Sequence, residues 1–176
     1  MNTKRLSLRL ITTEDARFLY ELMNTKKWHQ FIGDRGIDSV EAARSYIDQR
    51  MDADLESKGF INHVMVERET GTAVGTCSLH NREGVDGIDI GYALLPEFEG
   101  VGYASEGAEA MITLAFEKHR QPKVSAITIS ENSSSCRLLE KLGFTYAGLI
   151  RLPNSHEEVK RYVLKKKDWD QYLNRR

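Results

Sequence analysis

A chain of 176 residues, 40% hydrophobic and 29% charged, is long enough for one domain with a real core and too apolar to stay disordered. Its net charge of −1 offers no basic excess for nucleic acid, and its two cysteines, Cys77 and Cys136, form neither a disulfide framework nor a metal-ligand spacing. No apolar run nears the ~18 residues of a membrane span and no signal-like core opens the chain, so the expectation is a cytoplasmic protein without membrane, nucleic-acid or metal partners.

Leu6, Leu8 and Leu10 alternate with polar neighbours, which predicts a half-buried strand. Thr12 and Thr13 offer a helix cap before the acidic Glu14 and Asp15, and Ala16, Leu19, Tyr20 and Met23 form the buried stripe of that helix. Residues 28–36 read as an irregular stretch. Asp38 and Glu41 resemble a capping box for a second helix with Val40, Ala43, Ile47 and Met51 on its inner face, closed by Gly59. From Ile61 the pattern changes to strands: 61–67 and 73–79 flank Thr70-Gly71-Thr72, a hairpin signal, and a polar turn leads to a strand over 88–95. Ala104, Ala108, Met111, Ile112 and Ala115 then recur at helical spacing. A β-branched strand over 123–129 follows, then a helix from Asn132 to Gly143, then two more strands. Lys165-Lys166-Lys167, followed by Asp168 and Asp170, reads as a solvated terminal face.

Between the strand at 88 and the helix at 104 lies Leu95-Pro96-Glu97-Phe98-Glu99-Gly100-Val101-Gly102-Tyr103. Glycines at 100 and 102 allow unusual φ values, and the helix that follows begins with amides lacking intrahelical acceptors. Such a turn is suited to a phosphate, because the helix dipole also favours negative charge there. The dinucleotide fingerprint needs a glycine where this chain has Ser105, and the tripeptide that closes a Walker loop is missing.

A second signal, Asn132-Ser133-Ser134-Ser135, opens a helix that ends Glu140-Lys141-Leu142-Gly143-Phe144. With the glycine turn, it resembles the GNAT superfamily of acetyl-CoA-dependent N-acetyltransferases. Glu99 to Ala104 matches that family's Gln/Arg-x-x-Gly-x-Gly/Ala loop apart from its first residue, and Asn132 and Ser135 match its Asn-x-x-Ser. Gly91-Tyr92, Gly102-Tyr103-Ala104-Ser105-Glu106 and Lys141 to Phe144 are most similar to the RimJ/RimL-type branch. The resemblance implies a single α/β GNAT-type domain over 1–176, with a mixed, mostly antiparallel sheet splayed at its central strands and flanked by helices. It implies acetyl-CoA as co-substrate and no metal. The acceptor it implies is a primary amine, either a protein N-terminal α-amine or a small amine, attacking directly. A homodimer is left open. The rival from another class is a non-catalytic acyl-CoA-binding sensor or protein-interaction module.

By the same resemblance, the amides of Gly100, Val101, Gly102, Tyr103, Ala104 and Ser105 hold the diphosphate. Backbone groups near Leu94 and Leu95 hold the pantetheine arm and bond the thioester oxygen. Asn132 reaches the arm, or caps its helix, as Asn does well. Ser135, one turn on, is the candidate proton donor to the departing thiolate, with Tyr146 and Tyr162 as substitutes; a packing hydroxyl is its plainer role. Asp89 is the candidate base, directly or through water, against the plainer reading of a strand aspartate facing solvent. Glu99, in the place of Gln or Arg, is expected to repel the diphosphate slightly. His80, Glu83, His156 and Glu157 could border the cleft, and Trp28, His29 and Phe31 either wall the acceptor site or pin a loop. Asp48, Asp52, Asp54 and Glu56 read as a solvated acidic face.

Overall fold

A computed structural model describes residues 1–56, 62–153, 155 and 157–175, with the side chains of 50–56 outside the description. Gly59, Ile61 and His156 therefore lie outside the described residues, as do the side chains of Met51, Asp52, Asp54 and Glu56. The strands are β1 (Leu6–Leu10), β2 (His63–Glu67), β3 (Ala73–His80), β4 (Ile88–Leu94), β5 (Lys123–Thr128), β6 (Thr145–Arg151) and β7 (Glu158–Lys165). They form one open mixed sheet in the order β1-β2-β3-β4-β5-β7-β6. The β1–β2, β2–β3, β5–β7 and β6–β7 pairs are antiparallel, and β4 and β5 are parallel, in register at Ile88–Val124 and Asp89–Ser125. The helices are α1 (Ala16–Met23), α2 (Lys26–Phe31), α3 (Val40–Glu56), α4 (Tyr103–Thr113), α5 (Ser133–Lys141) and α6 (Lys166–Asn174). None of them is long and apolar enough to cross a membrane.

The chain divides into two compact units that interleave in sequence, Met1–Ser78 with Tyr92–Gly107, and Leu79–Gly91 with Ala108–Arg176. In the first unit, Ile11, Leu19 and Met23 meet Ile47 of α3 and Val64 of β2 in one apolar cluster. Each such side chain contributes roughly 1.5–3 kcal/mol when fully buried. Two sequence expectations shift here. Residues 28–31, the first part of the stretch read as irregular, belong to helix α2, which Thr25 caps by accepting from the Trp28 N–H. The cap of α3 is Ser39, whose Oγ accepts from the Ala42 N–H at 3.1 Å, and not Asp38. At Gly107 a Cβ would lie 2.2 Å from the Met65 sulfur, so only glycine lets α4 sit this close to β2.

In the second unit, Met111, Phe116, Val124, Leu139, Leu164 and Trp169 are buried. Trp169 belongs to α6, a helix the sequence reading missed. The lysine run at its start hid an apolar stripe of Trp169 and Tyr172, which stack with ring centroids 5.0 Å apart. Tyr172 also donates to Glu109 on α4 at 2.8 Å. The Lys165–Lys167 run is thus the junction of β7 and α6, with Lys166 paired to Asp170 and Glu117.

Candidate active site

In the first unit β4 ends at Leu94, and Leu95 continues extended. The Leu95 N–H donates to the Val74 carbonyl at 3.0 Å, and its own carbonyl accepts from the Phe98 N–H at 3.0 Å. Both main-chain groups of Leu95 are therefore engaged. Amides along a strand alternate in direction, so the Leu94 N–H points away from β3. Of the two residues singled out for the thioester oxygen, Leu94 is the one whose amide has that orientation. A single 3-10 turn over Pro96–Phe98 leads to Gly100, with φ +75°, and Gly102, with φ +92°. Tyr103 then begins α4, and the Gly102 carbonyl accepts the Glu106 N–H at 3.1 Å. Two left-handed residues beside a helix N-terminus gather main-chain N–H groups where the helix dipole is positive.

The departure at Glu99 has a partner. Its carboxylate pairs with Lys27 of α2, a residue that sequence reasoning passed over. Glu99 is thus not an uncompensated charge beside the loop. The pair is partly solvated, with side-chain exposures of 55% for Lys27 and 30% for Glu99, so its strength is modest and salt-sensitive.

In the second unit Asn132 caps α5, its Oδ1 accepting the Ser135 N–H at 3.1 Å and the Ser134 hydroxyl at 2.8 Å. The capping role expected of Asn132 is therefore observed, and it ties Asn132 to Ser135. Ser135 is half-buried, whereas the next residue, Cys136, is buried. Tyr162 of β7 is buried, with its hydroxyl 3.4 Å from Glu140 Oε1. Burial, reinforced by Cys136 and Glu140, pushes its phenol well above the ordinary tyrosine range. Tyr146, edge-on to Tyr162 at 5.7 Å between ring centroids, is exposed.

Asp89 does not face solvent. Its side chain is 1% exposed on β4, with Oδ2 lying 3.3 Å from the Arg82 guanidinium and Oδ1 lacking a hydrogen-bond partner among the described residues. Burial raises its carboxyl above the ordinary aspartate range, and Arg82 opposes that rise. Of the two alternatives open for Asp89, the solvent-facing one fails: alternation along β4 separates Asp89 from Ile88 and Ile90, but both faces are enclosed at these positions. Nothing in the sequence marked Arg82 as its partner.

Glu83, Asp48 and His29 are exposed, while Trp28 packs against the first unit's apolar cluster. Among the described residues, no group of three or more His, Cys, Asp or Glu side chains could hold a metal ion.

The family model for the GNAT acetyltransferase domain matches residues 5–145. The chain is 30% identical over 152 residues to the uncharacterized N-acetyltransferase YoaA of Bacillus subtilis (strain 168), covering 86% of this chain and 85% of that protein. A GNAT-family acetyltransferase structure from Bacillus anthracis superposes with a TM-score of 0.79 at 22% identity, covering 95% of this chain and 98% of the other. The ribosomal-protein-S5-alanine acetyltransferase of Vibrio fischeri has the same fold, with a TM-score of 0.76 at 19% identity over 96% of this chain and 97% of that one. With a glycine loop and an Asn-capped helix at the positions where its motifs fall, the chain belongs to the GNAT acetyltransferase family, whose co-substrate is acetyl-CoA.

Proposed function

We propose that this chain, as one domain over residues 1–176, is a cytoplasmic RimJ/RimL-type enzyme that moves the acetyl group of acetyl-CoA to a primary amine. A protein N-terminal α-amine is its first acceptor class, ahead of small amines. The observation that carries the reading is the Gly100–Ser105 loop, with two left-handed glycines opening an 11-residue helix in a chain of this family. Its amides hold the diphosphate, and the Leu94 amide meets the thioester oxygen. An amide aimed at a developing oxyanion is worth ~3 kcal/mol of barrier.

The amine nitrogen attacks the thioester carbon, the C–S bond breaks, and the sulfur leaves as a thiolate that takes up a proton. An α-ammonium titrates near ~8 and a lysine ammonium near ~10.4, so the attacking nitrogen must first lose a proton. Asp89 receives it through water, and its raised carboxyl pKa brings it closer to the amine's own range. The second proton, shed by the nitrogen as the amide forms, replaces the one that Ser135, held at the first turn of α5 by the Asn132 cap, gives to sulfur. Asn132 keeps its side-chain amide nitrogen for the pantetheine arm while its oxygen caps the helix.

The acceptor class is tested by CoA release with a panel of amines: short peptides with free Ser or Ala N-termini, the same peptides N-blocked but carrying lysine, and spermidine. We expect kcat/KM for the free α-amine peptides to exceed that for the blocked peptides by at least tenfold. Turnover with spermidine alone would overturn the acceptor while leaving the chemistry intact.

A further inference from the structure

The loop is gripped from the N-terminal end of the chain. Arg5 lies just before β1, with its guanidinium 4.6 Å from the centroid of the Tyr103 ring. Its Nε donates to Glu106 Oε2 at 2.8 Å, and its Nη1 donates to the Val101 carbonyl at 2.8 Å. Glu106 Oε1 accepts from the Arg5 main-chain N–H at 2.6 Å and from the Thr3 hydroxyl at 2.5 Å. Burial alone would push the Glu106 carboxyl up. The bonds from Thr3 and from both donors of Arg5 outweigh that and hold it below the ordinary glutamate range. The Tyr103 hydroxyl donates in turn to Glu67 at the end of β2. One carboxylate thus joins the N-terminal segment to the first turns of α4, and one guanidinium joins that carboxylate to the loop.

The consequence concerns a single peptide plane. In a trans peptide the C=O and the following N–H point in opposite directions. Binding the Val101 carbonyl to Arg5 therefore turns the Gly102 N–H away from Arg5. Val101 is flanked by glycines, whose backbones tolerate many orientations, so without this bond the plane is free to rotate. An Arg fork fits the task because one planar group serves two acceptors at fixed angles and stacks on an aromatic ring; lysine does none of these together.

We propose that Arg5 and Glu106 are positioning residues for the diphosphate of acetyl-CoA: Arg5 holds the Val101–Gly102 peptide with its N–H turned outward, and Glu106 holds Arg5. This rests on the reading of Gly100–Ser105 as the diphosphate site. The role is geometric rather than electrostatic, since the charge of Arg5 is balanced by Glu106.

The test compares two acetyl donors, acetyl-CoA and S-acetylpantetheine, which lacks the diphosphate. Arg5→Ala, Arg5→Lys and Glu106→Gln are assayed with one amine. We expect the acetyl-CoA KM to rise about tenfold in both Arg5 variants and about threefold in Glu106→Gln, with kcat within twofold of the parent. Kinetics with S-acetylpantetheine should stay at parental values in the same samples, which also shows that the variants are folded. Equal losses with both donors would mean a merely structural role and overturn the proposal. Rescue by Arg5→Lys would make Arg5 a charge acting on the phosphate and would overturn it too. If the parent itself does not favour acetyl-CoA over S-acetylpantetheine, the loop reading falls and this inference with it. A parental preference that survives in the variants sinks the inference alone.

Discussion

Gly102→Ala isolates what the loop does. At φ +92° an alanine backbone costs ~1–2 kcal/mol, because an L side chain meets its own carbonyl there. Its new Cβ would also stand 3.2 Å from Nη2 of Arg5, which must give way by a few tenths of an ångström. Gly100→Ala is the control, since φ +75° brings a similar backbone cost while a Cβ there meets nothing within 4 Å. A penalty of ~1–2 kcal/mol is a factor of roughly 5–30 in an equilibrium. If relief of strain turns the loop amides off the diphosphate, the acetyl-CoA KM of Gly102→Ala rises by about that factor. Gly100→Ala should rise less, because Arg5 keeps the Val101 carbonyl. The assay is CoA release at saturating amine over a range of acetyl-CoA, with thermal unfolding run in parallel. Strain kept in the folded state lowers Tm by ~2–4 °C per kcal/mol for a chain of this size. A folded Gly102→Ala enzyme with the parental KM for acetyl-CoA would refute the reasoning. A Gly102→Asp change is less clean, because its carboxylate would sit beside the Arg5 guanidinium.

Ser135→Ala should lower kcat by ~10²–10⁴-fold and leave the acetyl-CoA KM nearly unchanged; a full kcat there, with the loss appearing in Tyr162→Phe, would move the acid to the tyrosine. Asp89→Asn should show its largest deficit between the raised Asp89 pKa and the pKa of the amine, since below that window the parental base is itself protonated and above it the amine needs no base; a deficit flat with pH would contradict the base role. Glu99→Gln frees Lys27 and should lower the acetyl-CoA KM less than ~fivefold at low salt, Lys27→Ala should raise it, and both effects should fade at high salt; no change at low salt would mean the pair lies away from the diphosphate. Asp15 accepts two bonds from Arg9, at 2.6 and 2.7 Å, and one from the Thr12 N–H at 2.9 Å. Burial opposes ionisation of Asp15, but these bonds prevail and hold its pKa below the ordinary value. Its stabilisation is therefore complete above ~3.9 and is lost as pH falls through the lower folded value. Asp15→Asn should cost roughly 1–3 kcal/mol in urea unfolding at neutral pH, with the gap to the parent closing in acid; a gap constant to low pH would contradict this.

The parts of the molecule governed by local rules were legible in the residues. The strand at Leu6–Leu10, the glycine pair before α4 and the Asn132 cap each follow from one short segment; the structure places the glycines and the cap as read, and of the strand's alternating leucines it buries Leu6 and Leu8 but leaves Leu10 exposed. Gly143 closes α5 with φ +89°, while the Phe144 N–H reaches back to the Leu139 carbonyl. What escaped depends on partners distant in sequence. Asp89 is legible as a candidate base or a solvent-facing residue but not as a buried one, because its neighbouring strand β5 lies far along the chain. Lys27 and Glu99 lie 72 residues apart, and Thr3 and Glu106 lie 103 apart, so no periodicity could join them. Helix α6 was missed for a local reason, since its opening lysines outweighed the Trp169 stripe in a reading by charge.

The central claim is direct transfer of acetyl from acetyl-CoA to an amine, and rapid-quench measurement of CoA release with and without acceptor tests it most directly. With a free α-amine peptide, CoA and acetylated peptide should appear in equal amounts; without acceptor, the release should fall far short of one CoA per enzyme. A burst of one CoA per enzyme in the absence of amine, with acetyl left on the protein, would contradict direct attack. No release with any amine in the panel, despite bound acetyl-CoA, would contradict catalysis itself.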